Sequence, residues 1–90
     1  MESYDEIRQK YTDAAKQHAV SWGEDVSKHI IDIIVSVMMT RDNVLKGGDF
    51  VQSICKNDLM SAVCRADDEC IKYLKLITLA YYNAFVNDKN

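Results

Sequence analysis

The 90-residue chain contains no proline, and its only glycines are Gly23, Gly47 and Gly48. Long stretches therefore lack the two residues that most often interrupt helices, which favours an all-α fold. With 48% hydrophobic residues at this length, the chain has material for one modest core. We expect a single helical domain over residues 1–90.

Other absences exclude classes of partner. The net charge is −3, so the chain lacks the basic footprint of a protein that binds DNA or RNA duplexes. The most apolar window, residues 30–39, contains Asp32 and Ser36 and is far shorter than a membrane span. The three cysteines have no CxxC spacing and no signal peptide is evident, which favours a reduced, cytosolic compartment. We expect a soluble protein without a membrane or duplex partner.

Motifs for chemistry are also missing. Neither His18 nor His29 has a cysteine nearby in the sequence, and no Cys₂His₂ or HExxH pattern exists, so the spacing predicts no metal site. The cysteines fall on apolar helix faces, where a thiol behaves as a small hydrophobe. The run LKGGDF has neither the spacing nor the preceding strand of a phosphate-binding loop. The sequence therefore predicts no enzymatic activity, metal or cofactor.

The most informative stretch is residues 45–70, which contains the glycine pair Gly47-Gly48. The pair permits a tight turn or a positive φ, and Asp49 is then placed to cap a new helix. Asn57-Asp58 predicts a kink or brief break. Asp67 is the predicted N-cap of a last helix over 67–87, with the acids that follow it favouring the helix start.

The first helix is predicted over residues 2–20 and is weakly hydrophobic, which indicates a packing arm rather than a core element. Its Tyr4 and Tyr11 could offer flat faces to a ligand or cover the core. The following Ser21-Trp22-Gly23 is either a break, with Ser21 as N-cap and Glu24 at the capping-box position, or an irregularity in a longer helix.

The second helix, predicted from Glu24 to about Arg41, is apolar over most of its circumference. One stripe contains Val26, Ile30, Ile33, Ile34, Val37, Met38 and Arg41, a second contains Ile31, Val35 and Met39, and the polar line contains Lys28, Asp32, Ser36 and Thr40. A short chain has few helices with which to cover both stripes, so we expect copies to assemble as a homo-oligomer.

The last helix is predicted to present two adjacent apolar sets. The first set is Ile71, Leu74, Thr78, Tyr81 and Phe85, and the second is Cys70, Ile77, Ala80 and Ala84. Together the segments predict an all-α fold: a small bundle of antiparallel helices with a kinked middle segment, assembled as a homo-oligomer.

Two cations have both a structural and a functional interpretation. Arg65 either bridges the nearby Asp67, Asp68 or Glu69, or points its planar fork across a subunit interface towards a phosphate. Lys28 is either a solvated lysine on the polar line or a second phosphate-binding group.

The run KGGDFVQSICKNDLMSAVCRADDEC, followed by IKYLKLITLAYYNAF, resembles the small helical anti-CBASS proteins of tailed phages. These are sponges that sequester the cyclic oligonucleotides of a bacterial immune response. The resemblance rests on the glycine turn before Phe50, the block from Asn57 to Asp67 and the ending in Tyr82-Asn83. It covers roughly the C-terminal half, and the first 25 residues match only loosely.

The resemblance implies an all-helical homohexamer in the cytoplasm of an infected bacterial host. It implies binding of cyclic dinucleotides between protomers and of cyclic trinucleotides at separate sites, without cleavage. Carried over by position, Arg65 is the trinucleotide-binding arginine. Tyr11 is the base-stacking tyrosine, with Thr12 as a hydroxyl donor and Lys28 as the phosphate-binding lysine, and Tyr4 is an alternative to Tyr11.

Two other classes of function remain open. A small helical connector or inhibitor would dock on a regulatory protein and bind no cyclic nucleotide. A nucleic-acid binder would show steeply salt-dependent affinity, and the acidic balance of the chain disfavours it.

Overall fold

The computed structural model describes residues 2–23 and 25–86, and this part of the chain is all-helical, without strands. The all-α prediction is confirmed. The helices are α1 (Tyr4–Val20), α2 (Lys28–Arg41), α3 (Asp49–Cys55), α4 (Leu59–Arg65), α5 (Asp68–Lys72) and α6 (Leu74–Asn83).

Helix α1 begins with a complete capping box that the sequence reasoning missed. The Ser3 hydroxyl accepts a hydrogen bond of 3.2 Å from the Glu6 N–H, and the Glu6 carboxylate accepts from the Ser3 N–H at 3.4 Å. Helix α1 is also a core element rather than a packing arm. Its buried side chains are Tyr11, Ala14, Ala15 and Ala19.

The boundary between α1 and α2 differs from the prediction. Ser21 is the C-cap of α1, and its hydroxyl donates to the His18 carbonyl at 2.7 Å, so its predicted role as an N-cap is wrong. The N-cap of α2 is Ser27, which accepts from the Ile30 N–H at 3.3 Å. Helix α2 therefore begins at Lys28, and Glu24 lies outside the described residues.

Helix α2 lies at the centre of the chain and packs against α1, α3 and α6. Both apolar stripes are largely covered within one copy. The second stripe is buried, and so are Ile30, Ile34, Val37 and Met38 of the first, while Val26 and Ile33 are partly buried. The expectation that a single chain is too short to enclose this helix is therefore wrong. Any self-association has to use other surfaces.

The predicted break at Asn57-Asp58 is confirmed. Asn57 follows the end of α3 with a φ of 59°, in the left-handed region that asparagine tolerates better than most residues. The Asp58 N–H then donates to the Ser53 carbonyl at 2.9 Å, which satisfies the helix end. Asp58 caps α4 by accepting from the Ser61 N–H at 3.2 Å.

The glycine pair has a different role from the predicted one. Neither glycine has a positive φ, and the N-cap of α3 is Gly48, so Asp49 is the first helical residue instead of the cap. Gly47 is required by close packing. A Cβ there would lie 2.6 Å from Ser36 Oγ and 2.7 Å from Val51 Cγ1.

The last predicted helix is divided at Tyr73 into α5 and α6. Asp67 is its N-cap, as predicted, and accepts from the Cys70 N–H at 2.7 Å. The apolar set containing Cys70, Ile77, Ala80 and Ala84 faces the core, whereas Ile71 and Phe85 of the other set are exposed. Helix α6 ends at Asn83, with the extended Ala84 as its C-cap, so the predicted continuation towards residue 87 is wrong, and Asn87 itself lies outside the described residues.

Candidate functional site

Tyr11 lies in the core and is only 8% exposed. Its hydroxyl donates a hydrogen bond of 2.9 Å to Asp42 Oδ2 at the end of α2. Stacking requires a free ring face, and a ring held in this way has none to offer. The proposed stacking role therefore does not fit Tyr11.

Asp42 also accepts from the neighbouring Arg41, with Arg41 Nε 2.7 Å from Asp42 Oδ1. This guanidinium holds the pKa of the Asp42 carboxyl below its ordinary value, the Tyr11 hydroxyl adds to the effect, and partial burial opposes it. Arg41 Nη1 also donates to the carbonyls of Ala80, Tyr81 and Ala84 at the end of α6. These contacts join α1, α2 and α6 and give Tyr11 a structural role.

Tyr4 presents a ring to solvent from α1, being 49% exposed, and Tyr82 on α6 is exposed as well. Arg8 and Thr12 follow Tyr4 at intervals of four, so the three side chains lie on one face of α1. The Thr12 hydroxyl donates to the Arg8 carbonyl at 2.9 Å, so the hydrogen that its predicted role as a donor to a ligand requires is already engaged, and its oxygen is left as an acceptor.

Asp32 connects this face of α1 to the start of α2. Arg8 Nη2 lies 3.4 Å from Asp32 Oδ1, and Lys28 Nζ lies 2.8 Å from Asp32 Oδ2. The Lys28 side chain is 87% exposed. We call Tyr4, Arg8, Thr12, Lys28 and Asp32 the α1–α2 strip. Sequence reasoning missed Arg8, although its spacing of four from Tyr4 and Thr12 was a signal that could have identified it.

Arg65 lies at the end of α4 and pairs with Asp49, with Arg65 Nη1 3.1 Å from Asp49 Oδ2. None of the nearby acids suggested by the sequence is this partner. The Arg65 side chain is 52% exposed, and an ion pair in this setting contributes about 0 to 1 kcal/mol to stability. A ligand group that binds Arg65 more strongly can therefore replace Asp49 at little cost in stability.

The acids that follow Arg65 instead contact the start of α2. Asp67 Oδ2 lies 2.9 Å from His29 Nε2, and the Ser27 hydroxyl donates to Glu69 Oε2 at 2.6 Å. Cys70 Sγ lies 4.0 Å from the same His29 nitrogen. Burial, together with the contact to Asp67, raises the pKa of the Cys70 thiol to about 12. The hydrogen bond from the Cys70 N–H, with a further contribution from His29, lowers the pKa of Asp67.

A separate open cleft of about 490 Å³ lies between the end of α2 and α3. It is lined mainly by Thr40, Asn43, Val44, Leu45, Lys46, Gln52, Cys55 and Lys56. None of the four site residues predicted from the sequence lines this cleft. The structure brings two of the predicted residues, Thr12 and Lys28, onto the α1–α2 strip, whereas Arg65 lies at the end of α4 and Tyr11 in the core.

Comparisons with protein-family models, with curated proteins and with solved structures find no match to this chain. Within residues 2–23 and 25–86, no helix is both long and apolar enough to cross a membrane. The described part of the chain is a small all-helical fold in which Arg8, Lys28 and Arg65 are each paired with a carboxylate. An anionic ligand can bind such cations by replacing the carboxylate.

Proposed function

We propose that this protein is a sponge of the anti-CBASS type, which sequesters cyclic dinucleotides and cyclic trinucleotides without cleaving them. It would act in the cytoplasm of a bacterium infected by a phage. The observation that carries the proposal is the α1–α2 strip, where an exposed tyrosine and two cations share one surface.

The strip matches the chemistry of a cyclic dinucleotide. Arg8 and Lys28 contact the same carboxylate, so both can reach a phosphate placed near Asp32. Tyr4 offers a ring for base stacking, which is worth about 1 to 3 kcal/mol per base. We assign the stacking role to Tyr4 in place of Tyr11. A two-fold-symmetric ligand fits an isologous interface between two copies, because each half then meets the same residues.

Arg65 supplies the proposed trinucleotide site. Three copies of this arginine around a three-fold axis would meet the three phosphates of the ligand, with each phosphate replacing Asp49 as partner. Combining two-fold and three-fold contacts gives a homohexamer of antiparallel helical bundles.

Self-association requires an apolar surface, and α4 presents one next to Arg65. Leu59, Met60 and Val63 are all exposed in the single copy. Burial of these side chains between copies would contribute favourably, at about 25 cal/mol for each Å² of apolar surface removed from water. This surface replaces α2 as the proposed source of assembly.

Calorimetric titration with a panel of cyclic dinucleotides and trinucleotides tests the proposal. We expect saturable binding of both classes, with intact ligand recovered after proteolysis of the protein. Light scattering of the same samples should give a hexameric mass. Absence of binding across the panel, or recovery of linearised ligand, would refute the proposal that the protein is a sponge.

The exposed side chains of α4 also support a second candidate, a connector that docks on a regulatory protein. Thermal melting distinguishes the sponge from the connector. A ligand that binds only the folded state, at about 100 times its dissociation constant, adds roughly 2.7 kcal/mol to the free energy of unfolding. A melting temperature unchanged by every cyclic nucleotide would favour the connector.

A further inference from the structure

The start of α2 and the start of α5 bring three potential metal ligands together. One donor atom from each of His29, Asp67 and Cys70 lies within 4.8 Å of the other two. The sequence separates His29 from Cys70 by 41 positions, so their spacing along the chain gave no indication of this cluster. We propose that His29 Nε2, Asp67 Oδ2 and Cys70 Sγ together bind one Zn²⁺ ion.

The distances are close to those that a tetrahedral zinc ion requires. With bond lengths of about 2.0 to 2.3 Å, two ligand atoms of the same ion lie about 3.4 to 3.6 Å apart. The present separations are 2.9 Å between the His29 and Asp67 atoms and 4.0 Å between the His29 and Cys70 atoms. Movements of about half an ångström bring these two pairs to the required separation, and the Asp67 and Cys70 atoms, which lie within 4.8 Å of each other, have to approach by up to about 1.3 Å.

Asp67 is already oriented for this role. Its other oxygen, Oδ1, accepts the Cys70 N–H at 2.7 Å, which fixes the carboxylate and leaves Oδ2 directed at His29. Metal-binding carboxylates in proteins are commonly held by a second hydrogen bond of this kind. The N-cap of α5 and the metal ligand are thus the same side chain, used through different oxygens.

The surroundings favour a cation. Asp68 and Glu69 follow Asp67 directly in the sequence. Of the lysines and arginines within two positions of the cluster in the sequence, Lys28 and Arg65 are each paired with a carboxylate outside it, and Lys72 lies over the Tyr73 ring. His29 and Asp67 are exposed, which leaves the site open to an ion from solvent.

The donor set selects the metal. One thiolate, one imidazole and one carboxylate suit Zn²⁺, whereas Mg²⁺ and Ca²⁺ prefer oxygen ligands alone. Binding replaces the thiol proton of Cys70, which passes to solvent, and His29 presents the lone pair of Nε2 to the ion. Three protein ligands leave the fourth tetrahedral position to water.

Calorimetric titration of untagged, metal-free protein with Zn²⁺ tests the site. We expect one ion per chain and a higher melting temperature. The variants His29→Ala and Cys70→Ser should each weaken binding by more than tenfold. Cys64→Ser, which removes the exposed thiol outside the cluster, is the matched control and should bind as the original chain does.

Titration with Co²⁺ identifies the ligands without relying on the fold of a variant. The original chain and Cys64→Ser should both show thiolate charge-transfer absorption, with the visible bands of a tetrahedral ion. Asp67→Asn, which retains a good N-cap residue, should weaken Zn²⁺ binding while helicity is preserved. The proposal is overturned if the Co²⁺ spectrum lacks thiolate absorption, or if Cys64→Ser abolishes binding while Cys70→Ser does not.

Discussion

The hydroxyl of Tyr11 donates a hydrogen bond of 2.9 Å to Asp42 Oδ2, which joins the middle of α1 to the C-cap of α2. Asp42 in turn contacts Arg41, whose Nη1 donates to the Ala84 carbonyl at 2.6 Å. Three helices are therefore joined through one carboxylate and one guanidinium. A tyrosine in this position contributes to stability and is unsuited to base recognition.

Replacement of Tyr11 by Phe should lower the free energy of unfolding by about 1 to 2 kcal/mol. The ring still fills its place in the core, but Asp42 loses one of its donors. Urea denaturation measures the change. Cyclic dinucleotide affinity should be unchanged, and a large loss of affinity in a well-folded variant would restore Tyr11 as a candidate ligand residue.

The contacts of Asp42 with Tyr11 and Arg41 also predict that the fold loses stability in acid. The pKa of Asp42 is lowered from its ordinary value of 3.8, chiefly by Arg41, so its contribution is complete above about pH 4 and is lost as the pH falls through the lower, folded-state pKa. The difference in unfolding free energy between the original chain and Asp42→Asn should therefore be constant near neutrality and shrink in acid. A difference that grows below pH 4 would contradict this assignment.

Replacement of Arg41 by Met should lower the free energy of unfolding by about 2 to 4 kcal/mol. The side chain is only 9% exposed, and its loss leaves Asp42 and the carbonyls at the end of α6 without their charged donor. Arg65→Met is the matched control. Because the ion pair of Arg65 is exposed, this variant should lose less than about 1 kcal/mol. If denaturant titrations gave the two variants equal losses of unfolding free energy, the predicted difference between Arg41 and Arg65 would be wrong.

The glycine pair provides another matched comparison. Gly47→Ala should destabilise the fold by about 1 to 3 kcal/mol, because the new Cβ meets Ser36 and Val51 at less than 3 Å. Gly48→Ala should stay within about 0.5 kcal/mol of the original chain, since nothing lies within 4 Å of its Cβ. Thermal melting of both variants would decide the matter, and similar melting temperatures would contradict the packing argument.

The two proposed nucleotide sites should separate in binding measurements. Arg65→Ala should abolish cyclic trinucleotide binding and spare dinucleotides. Tyr4→Ala, Arg8→Ala and Lys28→Ala should each weaken dinucleotide binding about tenfold or more and spare trinucleotides, since removing one phosphate or stacking contact costs about 1 to 3 kcal/mol. Calorimetry on each variant measures both affinities. Retention of both ligands by Arg65→Ala would remove that arginine from the proposed site.

Local signals in the sequence predicted much of the secondary structure. Asp67 and the break at Asn57-Asp58 were identified because a cap or a left-handed residue depends on its immediate neighbours. Ser21 shows the limit of such reasoning. A serine satisfies a carbonyl at the end of a helix as readily as an N–H at the start, and the sequence alone did not distinguish the two.

The tertiary contacts were much harder to predict from the sequence. Tyr11 and Tyr4 have similar neighbours in the sequence, yet only Tyr11 reaches Asp42, 31 positions away. Arg65 likewise pairs with Asp49, 16 positions before it, and not with the acids that follow it in the sequence. These pairings depend on how helices pack, and the spacing of residues along a single helix carries no information about them.

The enclosure of α2 by its own chain bears on how this protein would behave at low concentration. A protomer that has already covered its central helix does not need a neighbour in order to fold. Dilution should therefore separate assembled copies into single chains that stay folded.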